Sequence, residues 1–177
     1  VLEGLAAGRL GFTTDVAGSV VDREVVFLCL PTPHAPDGSV DLSYVEAAAA
    51  TIGASLAAGS VVVNKSTVPV GTTVSVAGII DRSDVSVASN PEFLREGTAV
   101  ADFDDPSLAV VGTRDGSTFP AELAPLFGAD APSENWPSAE MVKYACNAFH
   151  ATKVTFANEI GRIGKSLGVD SQSVMRL

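Results

Sequence analysis

The sequence predicts an α/β fold built on a parallel sheet, because apolar runs typical of buried strands alternate with segments of helical periodicity. The clearest strand-like runs are residues 25–30, 61–64 and 85–88, and each leads directly into polar residues. The carboxyl ends of parallel strands meet at one edge of a sheet, where ligands of such folds bind. The polar residues after these strands are therefore the first candidates for a site.

The remaining elements follow from turn and cap signals along the chain. Asp41 is a plausible N-cap for a helix over 42–57, and Gly59 is a plausible stop before the next strand. Four more elements complete the prediction: a helix over 71–80, a strand over 107–112, a short helix over 118–127 and an extended segment over 131–136.

A long helix is predicted over 138–167, with Ser138 as its cap and Pro137 just outside it. About 30 residues rising about 1.5 Å each span roughly 45 Å. A single domain seldom needs such a length, so we expect the helix to bridge to another unit. Apolar or small residues recur along it every three or four positions, which predicts one buried stripe: Ala145, Phe149, Thr152, Phe156, Ile160, Ile163 and Leu167.

Composition narrows the classes of function. The net charge of -10 and the pI near 4.4 argue against nucleic-acid binding, which needs a basic surface. There is no apolar run of roughly 18 residues and no signal-peptide order near residue 1, so we expect a cytoplasmic protein without a membrane partner. Cys29 and Cys146 lack CxxC or histidine-rich spacing, which predicts two buried free thiols and no metal site.

Two segments crowd reactive side chains directly after strands. Residues 90–97, NPEFLREG, hold two carboxylates and a guanidinium, and residues 65–73, KSTVPVGTT, hold a lysine and four hydroxyls. Structural explanations stay open at this point: an arginine–carboxylate brace within NPEFLREG, or an ordinary helix cap at the second segment's Ser66 or Thr67. Lys143 and Asn147 share a face of the long helix, where they either reach one ligand group together or lie in solvent.

Four segments together resemble the UDP-glucose/GDP-mannose dehydrogenases, which use NAD to oxidise a sugar alcohol twice to a carboxylate. They are LCLPTP at 28–33, KSTVPVGTT at 65–73, NPEFLREG at 90–97 and AEMVKYACNAFHATKVTFANEIG at 139–161. The resemblance implies an incomplete Rossmann-like, doubly wound parallel sheet followed by a long connecting helix. Residues 1–136 are then the remainder of the NAD-binding domain, and residues 137–177 are the connecting and dimerisation helix with the start of the central domain.

Two parts of the family pattern are missing from this sequence. It contains no GxGxxG turn, which binds the dinucleotide pyrophosphate ahead of an acidic residue for the ribose. It also lacks the glycine-rich GxCxPKD segment of the family's catalytic cysteine, and Cys146 lies in KYACN, where the family commonly has a small residue. The resemblance therefore implies the middle of a longer enzyme. We expect the chain alone to be inactive and to bind NAD weakly.

The resemblance also implies roles for particular residues. The catalytic residues are Thr67, Glu92, Lys143 and Asn147. The residues that bind the NAD cofactor are Thr32, Ser66, Thr67 and Glu96. The residues that bind substrate are Glu92, Phe93, Leu94, Arg95, Lys143 and Asn147. The lysine and the asparagine stabilise negative charge that develops on oxygen, and Glu92 takes a proton from water when a thioester is hydrolysed.

The implied reaction oxidises a nucleotide sugar at C6 to the uronic acid, through two hydride transfers to NAD and a thioester on a cysteine outside this chain. A homodimer or larger homo-oligomer is expected. UDP-glucose is placed ahead of GDP-mannose, although residues 146–170 resemble the GDP-mannose enzymes somewhat more closely. Two other classes stay open: a non-catalytic nucleotide-sugar-binding or interaction module, and a generic 3-hydroxyacid or 6-phosphogluconate type dehydrogenase. The last of these does not explain NPEFLREG.

Overall fold

The computed structural model describes residues 1–117, 119–128 and 130–177 of the chain. Within them, β1, β2 and β3 are parallel, β4 is antiparallel to β3, and β5 is parallel to β4. The predicted α/β class with a Rossmann-like parallel unit is confirmed, and the antiparallel β3–β4 pair is a feature that the apolar pattern did not predict. In their order across the sheet, the strands are β1 Val25–Leu28, β2 Val61–Asn64, β3 Ser86–Ser89, β4 Val111–Thr113 and β5 Ser133–Asn135.

Helices connect the strands and cover the sheet. They are α1 Leu2–Ala6, α2 Val16–Ser19, α3 Ser43–Gly53, α4 Thr72–Ile80, α5 Ala99–Asp104, α6 Ala124–Phe127, α7 Trp136–Leu167 and α8 Ser171–Arg176, with a 3-10 turn at Ala121–Leu123. Of these, α3 and α4 are the crossovers between the parallel strands, as the helical periodicity predicts. None of the described helices combines the length and the apolarity that a membrane crossing needs.

Both faces of the central parallel strand are buried, as expected within β-α-β units. Val62 joins a core cluster under α3 and α4 that includes Ile52, whereas Val61 and Val63 join a second cluster that includes Leu123. Side chains alternate across a strand, so neighbouring valines of β2 belong to separate clusters. A strand that is buried on both faces, as β2 is, therefore shows an uninterrupted apolar run in the sequence.

β1 lies at the outer edge of the sheet, where β2 is its one strand partner among the described residues. Three of its four residues, Val25, Val26 and Phe27, are only partly buried. All four residues of β2 are buried by contrast. The apolar surface of the parallel unit is therefore least covered at β1.

Several element ends differ from the prediction: α3 ends at Gly53 and not at residue 57, and at two other ends a side chain takes part in hydrogen bonds to the backbone. β1 stops two residues earlier than expected, at Leu28, and the Leu30 N–H instead donates to the Ser66 hydroxyl at 2.8 Å. α3 starts one residue later than expected, yet the Asp41 carboxylate still accepts a hydrogen bond from the Ser43 N–H at 2.9 Å. Asp41 therefore caps the helix from one position further out.

The segment after α5 contains shorter elements than the sequence predicts. The strand expected over 107–112 is reduced to β4, and the carbonyl of Val110 just before it accepts a hydrogen bond from the Asn90 side chain at 2.9 Å instead of extending the ladder. The helix expected over 118–127 is divided into the 3-10 turn and α6. Thr118 itself lies outside the described residues.

The start of α7 is capped by Asn135 and not by Ser138. The Asn135 side-chain oxygen accepts a hydrogen bond from the Ser138 N–H at 2.9 Å. Pro137 lies in the first turn, where the N–H that proline lacks has no intrahelical partner in any case. The predicted cap is therefore wrong by one helical turn.

α7 approaches the sheet closely at Gly112 of β4. A Cβ atom at this position would lie 2.7 Å from the Cβ of Ala139 and 3.1 Å from the Cβ of Ser89. Nearby, the Trp136 indole nitrogen donates to the Val87 carbonyl oxygen of β3 at 3.1 Å. The absence of a side chain at Gly112 thus sets the distance at which α7 lies against β3 and β4.

The predicted burial of the apolar stripe on α7 is wrong for this chain. Phe149, Phe156, Ile163 and Leu167 are 62%, 59%, 52% and 71% exposed. The reason is that the helix buries residues against the sheet mainly in its first turns, from Trp136 onwards. The amphipathic pattern is present in the sequence, but no other part of the described chain covers the apolar face that these four side chains form on α7.

Candidate active site

The polar segments after β1, β2 and β3 lie together at one edge of the sheet, as their parallel pairing requires. Thr32 follows β1, Lys65 follows β2, and Asn90 and Glu92 follow β3. An early turn of α7 brings Lys143 to the same edge. The structure therefore gathers residues from four separate segments of the chain, in agreement with the sequence pattern.

A buried lysine joins α7 to the segment after β3. The Lys143 ammonium lies 2.8 Å from Oε1 of Glu92 and donates a second hydrogen bond, of 2.6 Å, to the Glu92 carbonyl oxygen. Its nitrogen is 5.4 Å from the centre of the Phe93 ring, within range of a cation–π contact. Only 10% of the Lys143 side chain is exposed, so the ammonium is held in one place.

The surroundings of Glu92 keep its carboxyl group ionised. Burial alone raises its pKa, but hydrogen bonds from Lys143 and from the Leu94 N–H, together with the charge of Lys65, outweigh that effect. The net result holds the pKa of Glu92 below its ordinary value. Lys143 therefore maintains Glu92 in the form that can accept a proton, while weakening it as a base.

Lys65 anchors the start of the NPEFLREG segment. Its ammonium donates to the side-chain oxygen of Asn90 at 2.7 Å, and the amide nitrogen of Asn90 donates to the Val110 carbonyl at 2.9 Å. Asn90 is 1% exposed, and burial lowers the pKa of Lys65. This series of hydrogen bonds ties the end of β2 to the end of β3 and to the residue before β4.

The hydroxyls predicted to contact the cofactor are used in different ways. The Ser66 hydroxyl accepts a hydrogen bond from the Leu30 N–H and lies 2.9 Å from the Leu30 carbonyl, so it fastens the end of β1. The Thr32 hydroxyl donates to the Thr67 carbonyl oxygen at 2.9 Å. The Thr67 hydroxyl makes no hydrogen bond within the described part of the chain. It is therefore the hydroxyl at this edge that is open to a ligand.

Arg95 forms the brace that the sequence left open, but with a carboxylate outside NPEFLREG. Its guanidinium lies 2.6 Å from Asp102 of α5, its backbone N–H donates to the same carboxylate at 2.9 Å, and the Thr98 hydroxyl does so too. These hydrogen bonds hold the pKa of Asp102 well below its ordinary value. Glu96 is exposed beside this brace. The Arg95 guanidinium is therefore paired with Asp102 in this structure.

Asn147 lies one turn after Lys143 on α7 and is exposed. Its amide makes no hydrogen bond to another described residue, so the structure does not bring it into the pair formed by Lys143 and Glu92. Cys146 is a partly buried free thiol, and Cys29 is an exposed one next to the end of β1. The predicted burial of both thiols is wrong, because the helix face and the strand end that carry them are open.

Glu140 is a residue near the site that the sequence pattern did not reveal. It is 2% exposed, and its carboxylate accepts hydrogen bonds from the Gly71 N–H at 2.6 Å and from the N–H and hydroxyl of Thr73, each at 2.7 Å. These donors belong to the start of α4, where free N–H groups and the helix dipole favour an anion. A glutamate in an amphipathic helix normally lies in solvent, and only its spacing of three from Lys143 indicates the sheet-facing side.

The described residues enclose little space beside Glu92. A cavity of about 20 Å³ lies there, and its lining includes Lys65, Phe93, Phe103 and Phe127. This is room for about one water molecule, whereas small-molecule pockets measure roughly 300–1,000 Å³. The chain therefore forms one wall of a site rather than an enclosed pocket.

This edge of the sheet fits one end of a dinucleotide. Thr67, with an open hydroxyl between a strand and a helix, suits the ribose or nicotinamide end of NAD. The pyrophosphate is bound by a glycine-rich turn at a helix N-terminus, and residues 1–177 contain no GxGxxG sequence. The residues present therefore leave the Thr67 hydroxyl available to one end of a dinucleotide and supply no pyrophosphate turn.

The parallel part of the sheet carries a charged pair and an open hydroxyl at its carboxyl edge, which is where open α/β sheets bind their ligands. Residues 1–128 match the NAD-binding domain of the UDP-glucose/GDP-mannose dehydrogenase family, and residues 137–177 match the central domain of that family. The chain belongs to the UDP-glucose/GDP-mannose dehydrogenase family. Its cofactor is NAD, as the resemblance implied.

Some of the similar proteins are GDP-mannose 6-dehydrogenases and others are UDP-glucose 6-dehydrogenases. The GDP-mannose 6-dehydrogenase of Pseudomonas aeruginosa is 42% identical across 98% of this chain and 43% of its own length. The UDP-glucose 6-dehydrogenase of Rhizobium meliloti is 44% identical across 99% of this chain and 43% of its own. A crystal structure of a ternary complex of GDP-mannose dehydrogenase from P. aeruginosa is similar with a TM-score of 0.85, at 39% identity, over 99% of this chain and 43% of that one. The chain thus spans less than half the length of these relatives.

Proposed function

We propose that residues 1–177 are part of an NAD-dependent nucleotide-sugar 6-dehydrogenase, which oxidises the C6 alcohol of the sugar to a carboxylate. The observation that carries the proposal is the ion pair of Lys143 and Glu92 at the edge of the sheet that also holds Thr67. Residues 1–136 are assigned to the NAD-binding domain, and residues 137–177 to the connecting helix and the start of the central domain. A cation and a carboxylate at this edge supply charge stabilisation and proton acceptance.

Lys143 and Glu92 act as a coupled pair in this proposal. When a substrate oxygen replaces Glu92 as the acceptor for Lys143, the ammonium stabilises negative charge developing on that oxygen. Glu92 then loses the hydrogen bond that contributes most to lowering its pKa, and burial raises the pKa. Glu92 therefore becomes a stronger base when a water molecule has to give up its proton.

The other predicted residues orient the reactants. NAD, when bound, takes up the hydride in each of the two oxidations. Thr67 holds the nicotinamide end and a water, and Asn147 assists Lys143 at the reacting carbon. The remaining assignments are contacts to the cofactor from Thr32, Ser66 and Glu96, and contacts to the substrate from Phe93, Leu94 and Arg95.

The thioester is assigned to a cysteine outside residues 1–177, because neither Cys29 nor Cys146 lies in a glycine-rich segment of the family type. Each turnover then consumes two NAD⁺ and one water, and yields two NADH, three protons and one uronate. The covalent attachment retains the reactive aldehyde between the two oxidations. The chain alone is consequently proposed to be inactive.

The test measures NADH and uronate formed by the full-length gene product and by residues 1–177 alone. We expect two NADH per uronate from the full-length protein and no turnover from residues 1–177. Turnover by residues 1–177 on the order of 1 per second contradicts the assignment of essential parts to other residues. Binding of nucleotide sugar by the full-length protein without turnover favours a non-catalytic binding module.

Substitutions in the full-length protein test the two catalytic assignments. Lys143→Ala and Glu92→Gln each lower kcat by roughly 10²-fold or more with little change in KM, because both residues act on charge or protons in the reaction. Lys153→Ala is the matched control, since Lys153 lies on the same helix with its nitrogen 4.9 Å above the exposed Phe149 ring. Cys146→Ala is expected to leave the chemistry nearly unchanged. A near-normal kcat in either active-site variant removes that residue from the mechanism.

UDP-glucose is the proposed substrate, and GDP-mannose is the alternative. The relatives named for these two substrates match at 44% and 42% identity, so similarity alone does not separate them. The ratio of kcat/KM for the two sugars decides, because this ratio defines discrimination. A tenfold preference for GDP-mannose, about 1.4 kcal/mol, reverses the order and leaves the oxidation itself intact.

A homodimer is proposed, with the exposed stripe of α7 as the contact between two copies. Four large side chains of this stripe, Phe149, Phe156, Ile163 and Leu167, would otherwise remain in water, and burying such side chains drives association. Analytical ultracentrifugation of Phe156→Asp is expected to show a shift toward monomer. Val100→Asp is the control, because Val100 is 78% exposed on α5, outside the stripe. Equal association of the wild type and Phe156→Asp contradicts this contact.

A further inference from the structure

One turn of α7 contacts both segments that carry proposed catalytic residues. Glu140 and Lys143 are three positions apart, so they are neighbours on the helix surface. Glu140 accepts hydrogen bonds from the start of α4, directly after the Thr67 segment. Lys143 donates to Glu92, after β3. The distance between the two segments is therefore linked to the position of a single helical turn.

The segment between β2 and α4 is fastened at both ends. At its start, Lys65 donates to Asn90, and at its end Gly71 and Thr73 donate to Glu140. Gly71 has a φ of 101°, a conformation that glycine adopts without strain and other residues rarely adopt. Thr67 lies between these two anchors.

Because Glu140 is buried, its carboxylate is favourable only where its hydrogen-bond donors are in place. Its charge is balanced by N–H groups, a hydroxyl and the dipole of α4, and no lysine or arginine among the described residues forms a salt bridge with it. A buried carboxylate is strongly unfavourable when its hydrogen bonds are lost. Displacing α7 along α4 breaks all three hydrogen bonds, whereas an apolar side chain at this position would tolerate the displacement.

We propose that Glu140 is a positioning residue for the reaction, which fixes α7 against the start of α4 and thereby sets where Lys143 lies relative to Glu92 and to the Thr67 segment. This inference rests on the proposed function of those three residues. Glu140 acts through Lys143 and through the start of α4, without touching the reacting atoms.

The kinetic test compares Glu140→Gln with Glu159→Gln in the full-length protein. Glutamine keeps the size of the side chain, but its NH₂ group replaces one of the two acceptor oxygens, so it can accept from Gly71 or from Thr73 but not from both. We expect kcat to fall about 10²-fold with little change in KM, as for a reacting group displaced by about 1 Å. Glu159 is 53% exposed on the same helix, so its variant is expected to keep kcat within about twofold. Both variants are assayed well below their unfolding temperatures.

A second measurement, the pKa of Glu92 by NMR in the full-length protein, does not depend on activity. In the wild type this pKa lies below its ordinary value. Removing the negative charge of Glu140 lowers the pKa of a neighbouring carboxyl by direct electrostatics. Movement of Lys143 away from Glu92 raises it instead. We expect the pKa of Glu92 to rise in Glu140→Gln and to stay unchanged in Glu159→Gln.

The outcomes separate this inference from the proposed function. A folded Glu140→Gln protein with normal kcat and an unchanged Glu92 pKa overturns the positioning role, as does a loss of thermal stability alone. If the full-length wild type oxidises no nucleotide sugar, the proposed function fails, and the pKa of Glu92 still decides the role of Glu140. If Glu140→Gln does not fold, Thr73→Val removes one donor with little change in shape. A fall in kcat at constant KM then supports the role, and an unchanged kcat overturns it.

Discussion

Replacing Gly112 with alanine tests how closely α7 lies against the sheet. The added Cβ would lie 2.7 Å from the Cβ of Ala139, 3.1 Å from the Cβ of Ser89 and 3.3 Å from the Cα of Trp136. Carbon atoms attract best at about 3.5–4.0 Å, so the closest pair is too short by roughly 1 Å. None of these three neighbours can rotate away, because each is a backbone atom or is attached directly to one. Relief therefore requires α7 or β4 to move.

Overpacking of this kind lowers the free energy of unfolding by about 1–3 kcal/mol. For a chain of this size, each kcal/mol corresponds to about 2–4 °C in Tm, so we expect Gly112→Ala to lower Tm by about 2–12 °C. The same outward movement of α7 carries Lys143 away from Glu92. The substitution is therefore expected to reduce activity in the full-length protein as well as stability.

Urea unfolding followed by the fluorescence of Trp136, the single tryptophan of the chain, measures the effect. Gly78→Ala is the matched control, because Gly78 is exposed within α4 and an added Cβ there meets no atom within 4 Å. Helix propensity predicts that Gly78→Ala stabilises by about 0.5–1 kcal/mol. The same chemical change thus has opposite signs at the two positions. If Gly112→Ala unfolds at the same urea concentration as the wild type or a higher one, the close contact between β4 and α7 is wrong.

Three further predictions concern pH and charge. The pKa of Glu92 is lowered in the folded state. Glu92 therefore stabilises the fold above its unfolded pKa of about 4.3, and this stabilisation is lost as pH falls through the folded pKa. The urea midpoint of Glu92→Gln should consequently change less with acidification than that of the wild type. In the full-length enzyme, the acidic limb of kcat is expected at higher pH than that of kcat/KM, because substrate removes Lys143 from Glu92; coincident limbs argue against this exchange. Asp102→Asn releases the Arg95 guanidinium and is expected to increase proteolysis after Arg95 relative to Asp104→Asn, which lies outside the brace.

The parallel strands were predictable because their residues combine a high β propensity with the apolarity that burial within the sheet requires. Val61, Val62 and Val63 are β-branched and apolar, and the neighbours on both faces of β2 bury them. No local signal predicts that β4 is antiparallel, because the sequence of its three residues does not indicate in which direction the strand pairs with β3. The choice of Asn135 over Ser138 as the cap of α7 likewise depends on where β5 ends, because both residues are good caps.

The candidate site was predictable in its location but not in its contacts. Strand ends predict that Glu92 and Thr67 share an edge, and the resemblance adds Lys143 to them. Direct pairing of Lys143 with Glu92 depends on the path of α7 across the sheet, which no local pattern encodes. The pairing of Arg95 with Asp102 was not predictable either, because it depends on α5 lying beside the NPEFLREG segment. Buried Glu140 was missed for the same reason, since its donors lie on another helix.

The outer strand β1 makes residues 1–177 prone to self-association through the backbone. An edge strand presents unpaired N–H and C=O groups to any other extended chain, and charged or proline residues normally discourage such pairing. β1 has the sequence VVFL, with neither a charge nor a proline in the strand. A strand from a second molecule can satisfy these groups in the way that a peptide adds to a sheet. Recovery of the isolated chain in solution is therefore expected to depend on its concentration, independently of how stable its core is.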